Sequence, residues 1–328
     1  MNQGILSAAA FTALLFAGSP AGAQEKLGEG MTIYMQMGGN PGDGATLPRT
    51  NGAKAAADAF GVNLVEQYSG WLPEQMLNHF REAQAADPDC IVIMGHPGSG
   101  AFADLVAEAE GRGIVVTSGN APLTELFEDY QANGFGYAGV ELYAGGWLTG
   151  KSMVDAGGLQ AGDKALVYGL LAEAERGQSD RGLKEALEDA GLEVDYIEIS
   201  PEVNQDASLA VPILTSYLAS NPDVKAMGTQ HGNVTSFMPK ALADAGKQPG
   251  EVIVGGIDLV PATIDGLEDG WISVVLDQQL YLQGFLPVTQ CVLSKKYGFT
   301  GLSINTGSGV VTPETIGKLI PLIEAGIR

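Results

Sequence analysis

Short apolar segments alternate with amphipathic segments along most of this chain, and this alternation constrains the fold more than any other feature. Each apolar segment has strand length, and the segments recur at intervals of roughly thirty residues. Helical spacing of apolar residues fills the intervals over residues 51–60, 73–86 and 101–111. This order favours right-handed βαβ units and a parallel sheet. The strands predicted first are MTIYMQM, VNLVEQY, CIVIMG and IVVTSG.

The same pattern begins afresh in the second half of the chain and predicts a second sheet. Its strands are ALVYGLL, LEVDYIEIS, VKAMGTQ and VIVGGID, and helices are predicted over residues 181–190, 207–219 and 236–245. The stretch FGYAGVELYAGG would carry the chain to the second sheet, and ISVVLDQQ would carry it back. We therefore predict an α/β chain with two similar doubly wound lobes and a cleft between their strand ends.

The first 23 residues carry no charged side chain and predict an export signal. Residues 5–17 form an apolar core of signal-peptide length, and Ala21-Gly22-Ala23 fits an A-x-A cleavage site. Cleavage near Ala23 would leave the mature chain in the periplasm. The alternative is an N-terminal helix buried in the fold. No later segment is long and apolar enough to cross a membrane.

The charge and the cysteines bear on partners and cofactors. The formal net charge is −22, whereas binding of phosphates needs a basic patch, so nucleic acid is excluded. High negative charge also favours a monomer. Cys90 and Cys291 could pair in an oxidising compartment, but two buried free thiols are the favoured interpretation. Three His and two Cys are scattered singly, so neither a metal nor a cofactor is predicted.

Polar side chains at the ends of the predicted strands are the candidate ligand-binding residues, because an α/β fold keeps its ligand there. The densest group lies in GGIDLVPATIDGLEDGWISVVLDQQLYLQG, where Asp258 and Gln278 end successive strands. Trp71 could stack on the apolar face of a sugar, and packing between the lobes is the alternative. Ligand contacts are predicted for Asn40, Asp43, Trp71, His96, Asn120, Arg176, His231, Asn233, Asp258 and Gln278.

Two of these predictions compete with nearby alternatives. The loop GGNPGDG matches neither phosphate-binding glycine spacing, so we predict a flexible rim loop with Asn40 or Asp43 reaching the cleft. The Arg176 guanidinium could fork to vicinal hydroxyls or to a carboxylate. Arg181 is its rival, but its place inside a predicted helix indicates a surface position.

No catalytic residue is predicted. The sequence lacks a nucleophile elbow, a zinc-protease motif and a clear Ser–His–Asp order. His96 or His231 could form an acid–base pair with Asp258 in an enzyme, and a lone His is often structural. Mixed carboxylate, amide, guanidinium and aromatic groups more simply describe a site for a polyol.

With these motifs, the chain resembles the type I periplasmic binding proteins, specifically the ribose and galactose class that serves ABC importers. The resemblance covers nearly all of residues 24–328 and rests on the order of three blocks, WLPEQMLNHFREAQAADPDCIVIMGHP, TQHGNVTSFMPKAL and VIVGGIDLVPATIDGLEDGWISVVLDQQLYLQG. It implies two lobes joined by three crossovers, with the ligand closed into the cleft. The lobes are predicted as residues 24–138 plus 279–306 and residues 139–278 plus 307–328.

The resemblance also implies roles for single residues. Asp258 would accept hydrogen bonds from sugar hydroxyls, Gln278 would lie at a hinge crossover, and His231 takes a place where the family often has Asn. Gly119-Asn120 replaces an Asp-Arg pair of the ribose-type relatives, and GGNPGDGATL replaces their aromatic pair. These departures disfavour ribose and galactose. A less common pentose, a deoxy sugar, a sugar alcohol or a furanose-like signal stays open.

Four functions follow from these patterns. The favoured one is a periplasmic receptor that binds a small neutral polyol and delivers it to an ABC-type permease. A sensor that presents a furanose-like signal to a chemoreceptor or importer would share the fold. A secreted α/β hydrolase is a third reading. A lactose-repressor-type regulator would need a basic helix-turn-helix at its N-terminus, where this chain has the predicted export signal.

Overall fold

A computed structural model describes residues 25–173, 175–307 and 309–328. The predicted signal peptide, residues 1–23, and its cleavage position near Ala23 lie outside the described residues. Within the described part, no helix combines the length and apolar character that spanning a bilayer requires.

The described chain alternates strands with helices from β1 onward. The strands are β1 (Thr32–Gly38), β2 (Asn63–Tyr68), β3 (Cys90–Ile93), β4 (Val115–Asn120), β5 (Tyr137–Gly139), β6 (Lys164–Gly169), β7 (Glu193–Glu198), β8 (Val224–Gly228), β9 (Ile253–Ile257), β10 (Val274–Asp277), β11 (Ser303–Asn305) and β12 (Gly309–Val311). The α-helices are α1 (Leu47–Phe60), α2 (Pro73–Ala85), α3 (Ser99–Gly111), α4 (Thr124–Tyr130), α5 (Leu142–Gly157), α6 (Gly177–Asp189), α7 (Pro201–Gln205), α8 (Ala210–Ser220), α9 (Gly232–Thr235), α10 (Met238–Asp244), α11 (Pro261–Glu268), α12 (Leu280–Tyr297) and α13 (Ile320–Glu324). Short 3₁₀ helices cover Gln131–Asn133, Ala207–Leu209 and Ile316–Lys318.

The strands form two sheets of six. The order is β11-β5-β4-β3-β1-β2 in the first sheet and β12-β10-β9-β8-β6-β7 in the second. All strand pairs run parallel except β10 with β12, which is antiparallel. This topology confirms the predicted α/β class with two similar doubly wound sheets. We call each sheet with its helices the first lobe and the second lobe.

Both faces of each sheet are covered, because the central strands are apolar on both sides. In β3 the sequence CIVI is buried at every position. One face of the first sheet packs on α2 and α3 through Phe80 and Phe102. The other face packs on α1 and α12 through Ala53 and Val288. The loops at the carboxyl ends of the strands remain free to form the cleft.

The chain passes between the lobes three times, which confirms the predicted three-crossover hinge. The crossings lie between β5 and α5, between β10 and α12, and between β11 and β12. Hydrogen bonds tie the crossings together. The amide N–H of Thr306 donates to the carbonyl of Gly139 at 2.8 Å, and the side-chain amide of Gln279 donates to the carbonyl of Thr306 at 2.8 Å. The three segments therefore form one bonded unit.

Several helix boundaries differ from the predicted ones. Helix α1 begins at Leu47 rather than at residue 51, and Pro48 in its first turn fits a helix start. The helix predicted over residues 236–245 corresponds to the shorter α10 (Met238–Asp244), and a separate short helix, α9, precedes it. Pro239 in the first turn of α10 lacks the N–H that would continue α9.

Helix α5 is absent from the predicted elements. Only its first residues, LYAGG, fall in the predicted crossing FGYAGVELYAGG, and its four glycines obscure the helical spacing of the rest. Those glycines allow close packing on α6. A Cβ at Gly146 would lie 1.8 Å from the carbonyl oxygen of Ser179, so the two helices meet backbone to backbone.

Cys90 and Cys291 form a disulfide that joins β3 to α12. The favoured interpretation of two free thiols is wrong. Both side chains are fully buried in the core of the first lobe. They lie 201 residues apart in sequence, and only the return of the chain through α12 brings them together.

Candidate ligand-binding site

A polar cavity lies in the cleft where strand ends of the two lobes face each other. Eight of the ten predicted ligand-binding residues line it. We define the first-lobe wall as Arg49, Trp71, His96 and Asn120, and the second-lobe wall as Arg176, His231, Asn233, Asp258 and Gln278. The remaining lining residues are Ala45, Leu142, Ser179, Asp180, Gln230, Gly232 and Ile257.

Asn40 and Asp43 are the two predicted residues that the cavity lining does not include. Asn40 is exposed. The carboxylate of Asp43 accepts from the backbone N–H of Asn40 at 2.9 Å and from that of Thr46 at 2.8 Å. Its oxygens therefore stabilise the turn that precedes α1 instead of facing the cavity.

Three wall residues have left-handed backbone conformations that side chains other than glycine rarely adopt. The φ angles are 64° at Trp71, 78° at Asn120 and 73° at Asp258. Each follows or ends a strand, so the turn redirects its side chain into the cleft. Strained backbone of this kind concentrates at functional sites, where surrounding contacts hold it.

The first-lobe wall is a chain of rings and amides in contact. The rings of Trp71 and His96 stack with centroids 5.6 Å apart and planes 17° apart. Nε2 of His96 lies 2.7 Å from Oδ1 of Asn120. Because Nδ2 of that asparagine is the donor to Gln283, its Oδ1 is the acceptor and His96 Nε2 carries the proton. Burial first, and then Arg176, lowers the pKa of His96 to about 3, so the ring is neutral.

Arg49 is a cavity residue that the sequence patterns did not predict. Its guanidinium donates to the carbonyl of Met37 at 2.8 Å and to Oε1 of Gln283 at 3.1 Å. It also lies 5.9 Å from the centre of the Trp71 ring. Its Nε is buried without a hydrogen-bond partner. Burial lowers the pKa of Arg49 to about 10, opposed by Asp258 and Asp43, so the side chain keeps its charge at neutral pH.

Asp258 supplies the buried carboxylate of the second-lobe wall. Its Oδ1 accepts from Nε2 of Gln278 at 2.7 Å. Burial raises the pKa of Asp258 to about 6, against the lowering effects of Gln278 and Arg49. A Cβ at Gly232 would lie 2.0 Å from Oδ2 of Asp258, so only glycine leaves room for this carboxylate.

His231 and Arg176 share a single acceptor in the second lobe. Nε2 of His231 lies 2.9 Å from Oδ1 of Asn204, and Arg176 donates to the same oxygen at 3.4 Å. His231 Nε2 is therefore a donor, which leaves Nδ1 as an acceptor, and Nδ1 is buried without a partner. Burial first, and then Arg176, lowers the pKa of His231 to about 3. Arg176 also pairs with Glu173 at 3.6 Å.

Asp180, the second buried carboxylate of the cavity, has a structural role. Its oxygens accept from the backbone N–H groups of Leu170 at 2.8 Å and Gln230 at 3.1 Å. Burial raises its pKa to about 6. Ser179 donates to the side chain of Gln230 at 3.0 Å. This group fixes the loops after β6 and β8, and Asp258 is the cavity carboxylate with an oxygen outside such contacts.

The walls combine neutral rings and amides with two guanidiniums and one carboxylate that keeps a free oxygen. Together these groups can hold a molecule rich in hydroxyl groups. Such groups both donate and accept, as the mixed walls require. Among the described residues, no three His, Cys, Asp or Glu side chains cluster in a way that could hold a metal ion. Ser179, the serine in the lining, donates its hydroxyl to the side-chain oxygen of Gln230, which is not the basic partner that nucleophilic catalysis needs.

Comparison with known proteins gives sequence relatives and a similar fold. The chain is 31% identical over 189 residues to the xylose/arabinose-binding protein XylF of Sulfolobus acidocaldarius, covering 55% of this chain and 45% of that protein. It is 26% identical over 173 residues to the D-allose-binding periplasmic protein of Escherichia coli, covering 53% and 49%. In these alignments the chain therefore spans about half the length of each relative.

A solved structure shows the same fold over most of the chain. It is an ABC transporter solute binding protein from Burkholderia graminis in complex with D-arabinose, with a TM-score of 0.76 and 21% identity. The match covers 88% of this chain and 97% of that one. The family model of the periplasmic binding protein domain matches residues 25–294. The chain belongs to the family of periplasmic binding protein domains.

Proposed function

We propose that this chain is the periplasmic solute-binding protein of an ABC importer and that it closes its two lobes around a small neutral polyol. The supporting observation is the pair of unpartnered buried atoms in opposite walls. Nδ1 of His231 is an acceptor without a donor, and Nε of Arg49 is a donor without an acceptor. A buried polar atom without a partner costs free energy, which a ligand hydroxyl would remove.

Charge and chemistry favour a neutral ligand over an acid. The acceptors Asp258 and His231 need O–H donors, which a ligand carboxylate lacks at neutral pH. Each hydrogen bond to a neutral hydroxyl contributes only about 0.5–1.5 kcal/mol net, so useful affinity needs several at once. Trp71 adds an apolar surface that complements the C–H face of a sugar ring.

The cavity between the two walls is small. Its free space is about 70 Å³, where one water needs roughly 10–15 Å³. A cavity of this size admits only a compact ligand. The relatives are named for xylose, arabinose and D-allose, and the similar structure holds D-arabinose. We therefore place pentoses and D-allose first among the candidates.

We also propose boundaries for the two lobes, a cellular location and partner proteins. Residues 24–138 plus 279–306 and residues 139–278 plus 307–328 would move as the two rigid lobes. The mature chain would begin after Ala23 and act as a monomer in the periplasm. Closure makes one surface from both lobes, which the permease would recognise, as would a chemoreceptor that reads the closed form.

Thermal denaturation with a ligand panel tests the proposal. The panel holds D-xylose, L-arabinose, D-arabinose, D-allose, myo-inositol and the aldonic acids of the four aldoses. A neutral member should raise the melting temperature by several degrees at concentrations far above its dissociation constant, and calorimetry should then give the affinity. The acids should have no effect. If no polyol shifts the melting temperature and turnover of a substrate appears, the receptor function is wrong.

A further inference from the structure

Gln283 is a buried amide just behind the ligand cavity, with hydrogen bonds to three residues that line it. It lies in the first turns of α12 and is fully buried. Its Oε1 accepts from Arg49 at 3.1 Å and from Asn120 at 3.2 Å. Its Nε2 donates to the side-chain oxygen and the carbonyl of Gln278, both at 3.3 Å. One side chain therefore contacts both walls of the cavity.

The same amide also reaches the hinge. Nε2 of Gln283 donates to Oγ1 of Thr306 at 3.2 Å. Thr306 lies on the third crossing and bonds to Gly139 on the first and to Gln279 on the second. Gln283 thus connects the bonded unit of three crossings to the side chains that would face the ligand.

The arrangement depends on the relative position of the lobes. Asn120 and Arg49 belong to elements of the first lobe, whereas Gln278 directly follows β10 of the second. Opening of the cleft would separate these two sets, and one rigid amide cannot follow both. The complete set of hydrogen bonds therefore belongs to the arrangement of the lobes described here, in which both walls line one cavity.

Gln290 on the same helix shows what a purely structural amide does. It is buried, accepts from the backbone N–H of Leu302 at 2.9 Å and donates to the carbonyl of Tyr137 at 3.5 Å. Both partners belong to the first lobe, and neither lines the cavity. Burial of an amide in α12 does not by itself create a link to the ligand site.

We propose that Gln283 is a positioning residue that couples closure of the lobes to occupancy of the cavity. It fixes Gln278, Asn120 and Arg49 in their ligand-facing geometry only when the hinge is in its closed arrangement. Its effect on ligand affinity rests on the proposed function. Its effect on closure without ligand does not.

Two substitutions separate the acceptor role of the Gln283 side chain from its donor role. Gln283→Met removes every hydrogen bond at similar volume. Gln283→Glu, when ionised, keeps the acceptor for Arg49 and Asn120 and loses the donor to Gln278 and Thr306. Gln290→Met is the matched control, because it removes a buried amide from the same helix away from the cavity. Melting temperatures of all ligand-free proteins verify that they fold.

The first measurement needs no ligand. Small-angle X-ray scattering of the ligand-free proteins should show a larger radius of gyration for Gln283→Met and Gln283→Glu than for the wild type and Gln290→Met. If all four radii are equal, Gln283 does not couple to closure and the inference is wrong, whatever the protein binds.

The second measurement uses the panel sugar that binds the wild type most tightly. Calorimetry should give an affinity about 10–100-fold weaker for Gln283→Met, and stopped-flow fluorescence should assign most of the change to faster dissociation. Gln290→Met should stay within about twofold of the wild type even where it melts earlier. Equal losses in Gln283→Met and Gln290→Met would overturn the inference. Failure of the wild type to bind any panel member would instead overturn the proposed function.

Discussion

The two walls of the cavity differ in how they are built. In the first-lobe wall, the Trp71 ring stacks on the His96 ring, and Nε2 of His96 donates to Asn120. That ring nitrogen therefore already has a partner. In the second-lobe wall, Asp258 keeps one oxygen outside the Gln278 hydrogen bond, and His231 has an unpartnered Nδ1. Apart from Nε of Arg49, the first wall therefore offers a preformed shape of satisfied groups, and the second offers a carboxylate oxygen and a ring nitrogen that still need partners.

We therefore expect the first wall to contribute mainly to selectivity and the second wall mainly to affinity. A preformed wall of rings and amides limits which ligand shapes fit the cavity, because its side chains hold one another in place. A wall with a buried carboxylate and an orphan acceptor gains more from each ligand hydroxyl, since hydrogen bonds to charged groups are stronger. Substitutions in each wall, a change of pH and removal of the disulfide test this assignment.

Removal of the buried carboxylate should have the largest effect. Asp258→Ala should weaken ligand binding by about 100-fold or more, because the ligand loses a charged acceptor and Gln278 loses its own. Calorimetry with the best panel sugar gives the affinity. Asp265→Ala, which removes an exposed carboxylate from α11, is the control and should bind normally. Unchanged affinity of Asp258→Ala would remove this residue from the site.

Loss of the ring platform should have the next largest effect. Trp71→Ala should weaken binding by about 10–100-fold, because a large apolar contact and the support of His96 disappear together. Trp147→Ala removes an indole that stacks on Tyr143 outside the cavity, at 6.1 Å, and should leave affinity unchanged. If both variants bind like the wild type, Trp71 serves only to pack the lobes.

The affinity should depend on pH through Asp258. Its pKa in the ligand-free protein is raised to about 6 by burial, and a ligand hydroxyl prefers the ionised form. Binding should therefore be constant above about pH 7 and weaken as pH falls through 6, by about tenfold at pH 5. The rings of His96 and His231, with pKa values of about 3, stay neutral over this range.

Two variants identify the titrating group. Asp180→Asn should keep the pH dependence, because both oxygens of Asp180 already accept from backbone N–H groups. Asp258→Asn should bind weakly and equally at pH 7.5 and pH 5, as calorimetry can measure. A pH dependence that survives in Asp258→Asn would assign the effect to another group.

Removal of the disulfide should have the smallest effect on affinity and a large one on stability. The double variant Cys90→Ala/Cys291→Ala should lose roughly 2–5 kcal/mol of unfolding free energy in denaturant titration, because the bridge constrains the unfolded chain. Affinity should stay within about twofold, since hydrogen bonds rather than the bridge hold the first-lobe wall. A large loss of affinity would show that β3 and α12 position the wall through the bridge.

Much of the fold was predictable because apolar segments of strand length report buried parallel strands directly. Helices with many glycines were not predictable in this way. Helix α5, LYAGGWLTGKSMVDAG, packs on its neighbour through glycines, which have no side chain. Its sequence therefore shows no apolar stripe. The pairing of Cys90 with Cys291 was not predictable either, since it follows from which lobe receives α12.

The same contrast applies to the site. Residues at strand ends, such as Asp258 after β9 and Asn120 at the end of β4, were predicted because strand ends converge on the cleft in any fold of this class. Arg49 was missed because it lies inside a helix, where its position gives no such signal. A single arginine among the small residues of LPRTNGAKAAADAF was the available hint. Gln283 was equally hidden, because its role depends on contacts across both lobes.

The return of the chain to the first lobe has a consequence for the order of assembly. The core that contains Met31 and Ile33 is completed by Val288, Cys291 and Val292 on α12. A chain that emerges from its N-terminus therefore exposes one apolar face of the first sheet until almost all of the second lobe has appeared. The lobe that begins first is finished late, and chaperones or export factors would meet an incomplete β-sheet for most of that time.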